Sequence, residues 1–179
     1  MNGERTERKT VTIYTDGGCH GNPGPGGWGA ILIYRHHRRE LSGFALATTN
    51  NRMELLAAIE ALRVLRETCH VILHTDSQYL KQGVTQWLAG WKRNGWRTRT
   101  REPVKNEDLW RHLDEVVTRH TVEWQWVKGH AGDEHNESCD ALAQNAIAHL
   151  KKTATQAELR AALLVFQSER VEAPDTLLR

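Results

Sequence analysis

Between Val11 and Thr75 the chain passes through three short strand-like runs, one amphipathic helix and one apolar strand. That order constrains the fold more than any other feature. Residues 11–15 (VTIYT) are rich in β-branched side chains, 30–34 (AILIY) are apolar, and 40–47 (ELSGFALA) make a third run. Three such runs with short connections build an antiparallel meander. From Asn50 to about Arg66, Met53, Leu56, Ile59 (or Ala57), Leu62 and Leu65 recur at helical spacing, with Asn50 or Asn51 as the cap. VILHT, 71–75, then reads as a buried strand, and a strand–helix–strand step favours parallel pairing. Ser77 can cap a helix after Asp76, and NEDLWRHLDEVVTRH (106–120) is a further amphipathic helix. VEWQWV (122–127) alternates as a fifth strand, and a loop at 128–133 opens into a last helix that carries Asp140. The pattern predicts an α/β fold, a five-stranded mixed sheet flanked by helices.

At 179 residues this is one domain with appendages: a polar extension at 1–10, a body at 11–150 and a tail at 151–179. Within the tail, TQAELRAALLVFQSE is expected to form a short helix through Leu159, Leu163 and Phe166, with EAPDTLLR a disordered end. Three cysteines at wide spacing fit neither a disulfide framework nor a zinc site. MNGERTERKT has no apolar core of a signal peptide, and no apolar run approaches the roughly 20 residues a bilayer requires. A soluble, cytoplasmic protein with no membrane partner is expected. The formal net charge is only +2, yet residues 81–105 hold seven Lys or Arg against one Glu, a local +6 that leaves −4 to the rest. Such asymmetry suggests a basic surface aimed at a polyanion.

Chemistry concentrates in four contexts. TIYTDGG sets Asp16 at a strand end, NNRMELLAAIEAL sets Glu54 in the first turns of a helix, and VILHTDSQY sets Asp76 at another strand end. GHAGDEHNESCDALA sets His130 in a Gly-flanked loop and Asp140 just inside a helix. Singly, each acid reads as a cap, a turn former or a solvated helix residue. If the first and fourth strands are neighbours, however, Asp16 and Asp76 emerge together and Glu54 and Asp140 can reach them from flanking helices. Four carboxylates cannot stay ionised in so small a space without a cation. All-oxygen ligation favours Mg2+ or Mn2+ over zinc. Two such ions about 4 Å apart suit an in-line phosphoryl displacement. A Gly-flanked His such as His130 suits proton traffic near neutral pH. His135 lies close by, but Gly129 and Gly132 favour His130.

The glycine-rich segment holds a decoy. Half of the 14 Gly lie between Gly17 and Gly29, and GPGGWG (24–29) matches GxGxxG. A dinucleotide site needs a helix to open from that motif, whereas the strand AILIY follows here. The segment reads instead as a tight strand connection, one that also lets backbone approach nucleic acid closely. Farther on, Trp87, Trp91 and Trp96 interleave with Lys81, Lys92, Arg93, Arg97, Arg99, Arg101 and Lys105. Such a stretch serves phosphate attraction and stacking, although a Trp pair four apart also suits a core, and at least one Trp is taken as structural.

Taken together, these motifs closely resemble bacterial ribonuclease H of type 1, from about Val11 to about Leu150. The resemblance implies the ribonuclease H fold and an endonuclease that cuts the RNA strand of an RNA–DNA hybrid, leaving 5′-phosphate and 3′-hydroxyl ends. It implies that Asp16, Glu54, Asp76 and Asp140 bind two Mg2+ ions and that His130 assists the attacking water or product departure. By the same resemblance, backbone at Gly17, Cys19 and Gly21 and the side chain of Asn22 meet the minor groove, and Asn50 and Gln78 touch base edges or ribose. Thr49, Asn51 and Asn106 match positions holding a DNA-strand phosphate, although helix capping is a strong alternative for Asn50, Asn51 and Asn106. The basic stretch matches a protrusion that grips the DNA strand. Ala47 departs from the pattern, standing where some relatives have an arginine. Cutting only RNA requires reading the 2′-hydroxyl, which a shallow groove lined by loop backbone, Asn22, Asn50 and Gln78 can do. The chain is expected to act as a monomer. A different nuclease on the same fold, or a non-catalytic hybrid-binding module, are the rival readings; the latter should have lost an acid, and none is lost.

Overall fold

Val11, Ile13 and Thr15 are buried alternately along the first strand, which marks it as the centre of a sheet covered on its faces. In the computed structural model, which describes residues 8–128 and 132–171, that strand, β1 (Thr10–Cys19), lies third of five. β2 (Gly24–Tyr34) and β3 (His37–Thr48) follow it as an antiparallel meander. Helix α1 (Asn50–Arg63) then carries the chain over to β4 (His70–Thr75), which pairs parallel to β1 on the other side. After β4 come α2 (Gln78–Gln82), a π-helical turn over Gly83–Trp87, α3 (Leu88–Arg93) and α4 (Glu107–Val117). β5 (Thr121–Trp126) closes the sheet parallel to β4, and α5 (Glu134–Thr153) and α6 (Gln156–Val171) end the described chain. The sheet order is β3-β2-β1-β4-β5, the mixed five-stranded arrangement the sequence predicts.

The largest part of the core lies between the sheet and the helices α1 and α4. Met53, Leu55, Ala57, Ala58, Ile59, Ala61 and Leu62 of α1 are buried, a wider stripe than the spacing of the large apolar residues indicated. Leu109, Trp110, Leu113 and Val116 of α4 complete that layer. Each fully buried Leu or Ile contributes about 1.5–3 kcal/mol relative to exposure. On the other face α5 lies across β1 and β2 and buries Cys139, Ala143, Ala146, Ile147 and Leu150.

Three expectations are corrected. The glycine-rich segment is strand over most of its length: Gly17 and Gly18 belong to β1, and Gly24, Gly26, Gly27 and Gly29 belong to β2. A Cβ at Gly27 or Gly29 would run into the carbonyls of Ala143 and Cys139, so these glycines let α5 lie directly on the sheet. Asp16 consequently lies within β1, opposite Gly29, rather than at a strand end. The cap of α1 is Thr49, whose hydroxyl accepts from the Arg52 N–H at 3.4 Å; Asn50 and Asn51 are the first helical residues. The tail helix begins at Gln156 and extends to Val171, and it lies against β3. The end EAPDTLLR falls outside the described residues.

Candidate active site

Thr15 of β1 pairs with Thr75 of β4, so Asp16 and Asp76, one residue farther along each strand, stand side by side. Gly17 brings β1 against α1 so closely that a Cβ there would overlap the backbone of Met53 and Glu54. That approach delivers Glu54 to the same point. One carboxylate oxygen from each of Asp16, Glu54 and Asp76 lies within 4.8 Å of the other two. Asp16 and Glu54 are buried and Asp76 is half-buried.

The electrostatics of this trio are those of a cation site. Burial pushes the Glu54 carboxyl well above its ordinary range; the negative charges of Asp16 and Asp76 push it further, and the Gly17 N–H only partly offsets them. One Glu54 oxygen, Oε2, is buried with no hydrogen-bond partner, which a cation in the cluster would provide. Asp16 accepts from the Gly17 N–H at 2.8 Å. Asp76 accepts from Asn136 Nδ2 at 3.3 Å, and its backbone carbonyl accepts from Trp126 Nε1 at 3.2 Å. With three oxygen donors and no thiolate or imidazole among them, the set suits Mg2+ or Mn2+.

Asp140, the fourth acid, stands outside the 4.8 Å trio. It is half-buried on α5, and its Oδ1 accepts from Gln144 Nε2 one turn on, at 3.3 Å. Gln144 is in turn joined to His20 Nε2 at 2.9 Å, and His20 Nδ1 to Lys151 Nζ at 2.6 Å. His130 and its neighbour Gly129 lie outside the described residues. His135, its rival, is not a loop residue but belongs to the first turn of α5, which Asp133 caps by accepting from the N–H groups of His135 and Asn136 at 3.0 Å. Its ring packs on Tyr14 at 4.6 Å between centroids, and Tyr14 stacks on His74.

The residues singled out for substrate contact form two groups. Near the β1–β2 connection, Asn50 Oδ1 accepts from the Cys19 N–H at 2.8 Å, Asn22 Oδ1 accepts from the Asn50 N–H at 3.3 Å, and the Cys19 thiol donates to the Gly21 carbonyl. This network binds Gly17–Asn22 to the start of α1, on the side of the acids. Gln78 is exposed in the first turn of α2. In the second group, Thr49 and Asn51 begin α1 while Asn106 precedes α4 in a left-handed conformation, φ 59°. Asn106 is buried but makes no capping bond: its amide donates to the Tyr79 hydroxyl at 3.1 Å, and its carbonyl accepts from Arg52 at 3.4 Å and Arg170 at 3.1 Å.

The basic segment has an aromatic floor. Trp87 and Trp91 are half-buried and pack with each other, Trp87 also with Tyr79 and Trp91 also with Trp110. Trp96 lies under the Arg111 guanidinium, 4.5 Å from its ring centroid. Arg97 pairs across a bridge with Pro103, and Arg97, Arg99 and Arg101 are exposed, as are Lys92 and Arg93. A groove of about 590 Å3 runs among Trp87, Trp91, Arg93, Arg97 and Arg99.

Asn136 and Gln144 were not anticipated. Each lies four residues from Asp140 on α5, and that spacing places them on one helical face, a legible signal. Tyr79, whose hydroxyl gathers Asn106, Trp110 and the Lys105 carbonyl, gave no such signal, because its partners lie far along the chain.

The family model for RNase H matches residues 8–148. The ribonuclease H of Idiomarina loihiensis is 63% identical over 138 residues, which are 77% of this chain and 88% of that protein. That of Alcanivorax borkumensis is 57% identical over 149 residues, 83% of this chain and 99% of that protein. Among solved structures, LC9-RNase H1, a type 1 RNase H with the type 2 active-site motif, aligns with a TM-score of 0.73 and 32% identity, over 88% of this chain and 86% of that one. With the family model covering nearly its whole body and relatives matched over nearly their full length, this chain belongs to the ribonuclease H family.

Proposed function

We propose that this chain is an endonuclease that hydrolyses the RNA strand of RNA–DNA hybrids and leaves 5′-phosphate and 3′-hydroxyl ends. The observation that carries this reading is the acidic trio Asp16, Glu54 and Asp76, two buried and one half-buried, within 4.8 Å of one another in a ribonuclease H fold. The orphaned Glu54 oxygen and the all-carboxylate donor set fit a divalent cation. Asp16, Glu54, Asp76 and Asp140 are the residues that would hold two Mg2+ ions, or Mn2+. Bound there, the ions would supply water activation and charge stabilisation on the leaving oxygen. Asn136 holds the Asp76 carboxylate in place, and Gln144 holds that of Asp140.

Substrate recognition falls to the chain itself. Backbone at Gly17, Cys19 and Gly21, with Asn22, Asn50 and Gln78, faces the minor groove and reads the 2′-hydroxyls of the RNA strand. Thr49, Asn51 and Asn106 hold a phosphate of the DNA strand, and the segment with Lys92, Arg93, Trp96, Arg97, Arg99 and Arg101 grips the same strand farther on. His130 moves a proton at the attacking water or the departing product. The protein works as a cytoplasmic monomer; among the described residues no helix is long and apolar enough to cross a membrane. End-labelling each strand of a hybrid tests the reaction: internal cuts confined to the RNA strand, with 5′-phosphates, support it, whereas stepwise loss from one end or cuts in the DNA strand would contradict it.

A further inference from the structure

The tail helix is specified by its own sequence. Thr155 and Glu158 form a reciprocal capping box: Glu158 Oε2 accepts from the Thr155 N–H at 2.7 Å and its hydroxyl at 2.8 Å, and Thr155 Oγ1 accepts from the Glu158 N–H at 3.2 Å. Leu159, Leu163 and Phe166 are half-buried along one face of α6, which lies against β3. At the far end of that helix Arg170 meets Asn106, which stands just ahead of α4. The Arg170 guanidinium lies 4.8 Å from the Phe166 ring centroid, and its Nη2 donates to Asn106 Oδ1 at 3.1 Å.

Two guanidiniums converge on that single amide oxygen. Arg52 is neutralised by Asp108, which accepts from it at 2.9 and 2.6 Å. Arg170 makes no ion pair with a carboxylate among the described residues. Arg52 is itself a first-turn residue of α1, and that turn contains no acid. A half-buried cation, held by an aromatic ring and an amide and without a counter-ion among the described residues, is arranged to receive an anion. The site it adjoins is that of Thr49, Asn51 and Asn106.

We propose that Arg170, delivered by α6, is a substrate-binding residue that contacts a phosphodiester of the DNA strand beside Thr49, Asn51 and Asn106. The inference rests on the hybrid-cleavage reading above. Arg170 thus makes the tail part of the substrate surface and supplies a cation beside Asn106.

Substituting Arg170→Gln separates this role from mere anchoring of α6, because glutamine keeps an N–H donor for Asn106 and loses the charge. Binding of a labelled RNA–DNA hybrid to the full chain is measured in chelator across a salt series. R170Q is expected to lower affinity about tenfold at low salt and the slope of log affinity against log salt by about 0.9. R170K is expected to restore the slope. R160Q, which removes the same charge from an exposed position of α6, is expected to match the wild type. A hybrid with one neutral methylphosphonate in the DNA strand supplies the partner: at one linkage it should cost the wild type about tenfold and cost R170Q nothing further. Should R170Q melt far below the wild type, a chain ended after Ser168, which keeps Leu159, Leu163 and Phe166, is expected to show the same loss of slope. Superimposable salt slopes for wild type and R170Q, or a methylphosphonate penalty equal in both, would overturn the proposal while leaving hybrid cleavage standing. Failure of the wild type to cut the hybrid at all would instead remove the functional reading beneath it.

Discussion

At the scale of single residues, the protein concentrates negative charge where burial makes it costly. Asp16→Asn and Asp76→Asn each keep side-chain size and remove a charge from the trio, so both should keep the fold and lower cleavage by roughly a thousandfold or more. His130→Ala should slow turnover and leave activity that is easily measured; loss as deep as that of the Asp variants would contradict an auxiliary role. Glu54 gives a separate stability signature. Its folded-state carboxyl titrates well above its unfolded value, because burial and the two neighbouring charges disfavour ionisation. The sign follows from linkage: in metal-free protein the stability associated with the neutral carboxyl is complete below the unfolded value, about 4.3, and is lost as pH rises above it. Glu54→Gln should therefore raise the melting temperature in chelator at neutral pH. The gain should vanish in acid and reverse in Mg2+. An unchanged melting temperature in chelator would show that the cluster carries no such strain.

At the scale of elements, the chain shows where local pattern is enough and where it is not. β4, β5 and α4 were legible because each displays its own periodicity, and Ser77 caps α2 as expected, accepting from the Leu80 N–H at 3.1 Å. The glycine-rich segment misled because its partner is distant. Nothing near Gly27 reveals that the backbone of Ala143 will lie against it, so a strand dense in glycine looked like a loop. Asp140 belongs to the same lesson: its place on α5 could be read from sequence, but its engagement with Gln144 rather than with the acidic trio could not. The basic segment combines both cases. Its charges were plain, whereas the roles of Trp87 and Trp91 depended on Tyr79 and Trp110. Replacing Arg97, Arg99 and Arg101 together with Ala should raise the KM for hybrid and leave kcat nearly unchanged. It should also flatten the salt dependence by about one unit of slope for each phosphate no longer neutralised. Salt curves identical to those of the wild type would reduce these arginines to a solvated face.

At the scale of the whole molecule, the mixed sheet places its chemistry where β1 and β4 run parallel at its centre, and the helices bring the rest. α1 brings Glu54, α5 brings Asn136 and Asp140, and α6 covers β3. Every proposed acid precedes Lys151, so a chain ended after Thr153 should keep its kcat. It should melt several degrees lower, about 5–10 °C, because Leu159, Leu163 and Phe166 no longer cover β3. Its KM should rise as Arg170 is lost. A truncated chain that stays folded but loses kcat would show that α6 acts on the chemistry itself. The central claim, that an acidic metal site in this fold cuts RNA only when it is paired with DNA, is tested most directly by one panel. Matched RNA–DNA hybrid, RNA duplex, DNA duplex and single strands are each offered with Mg2+ and with chelator. The account predicts cleavage of the RNA strand of the hybrid alone, and only with the metal. Equal cutting of duplex DNA, or undiminished cutting in chelator, would contradict it.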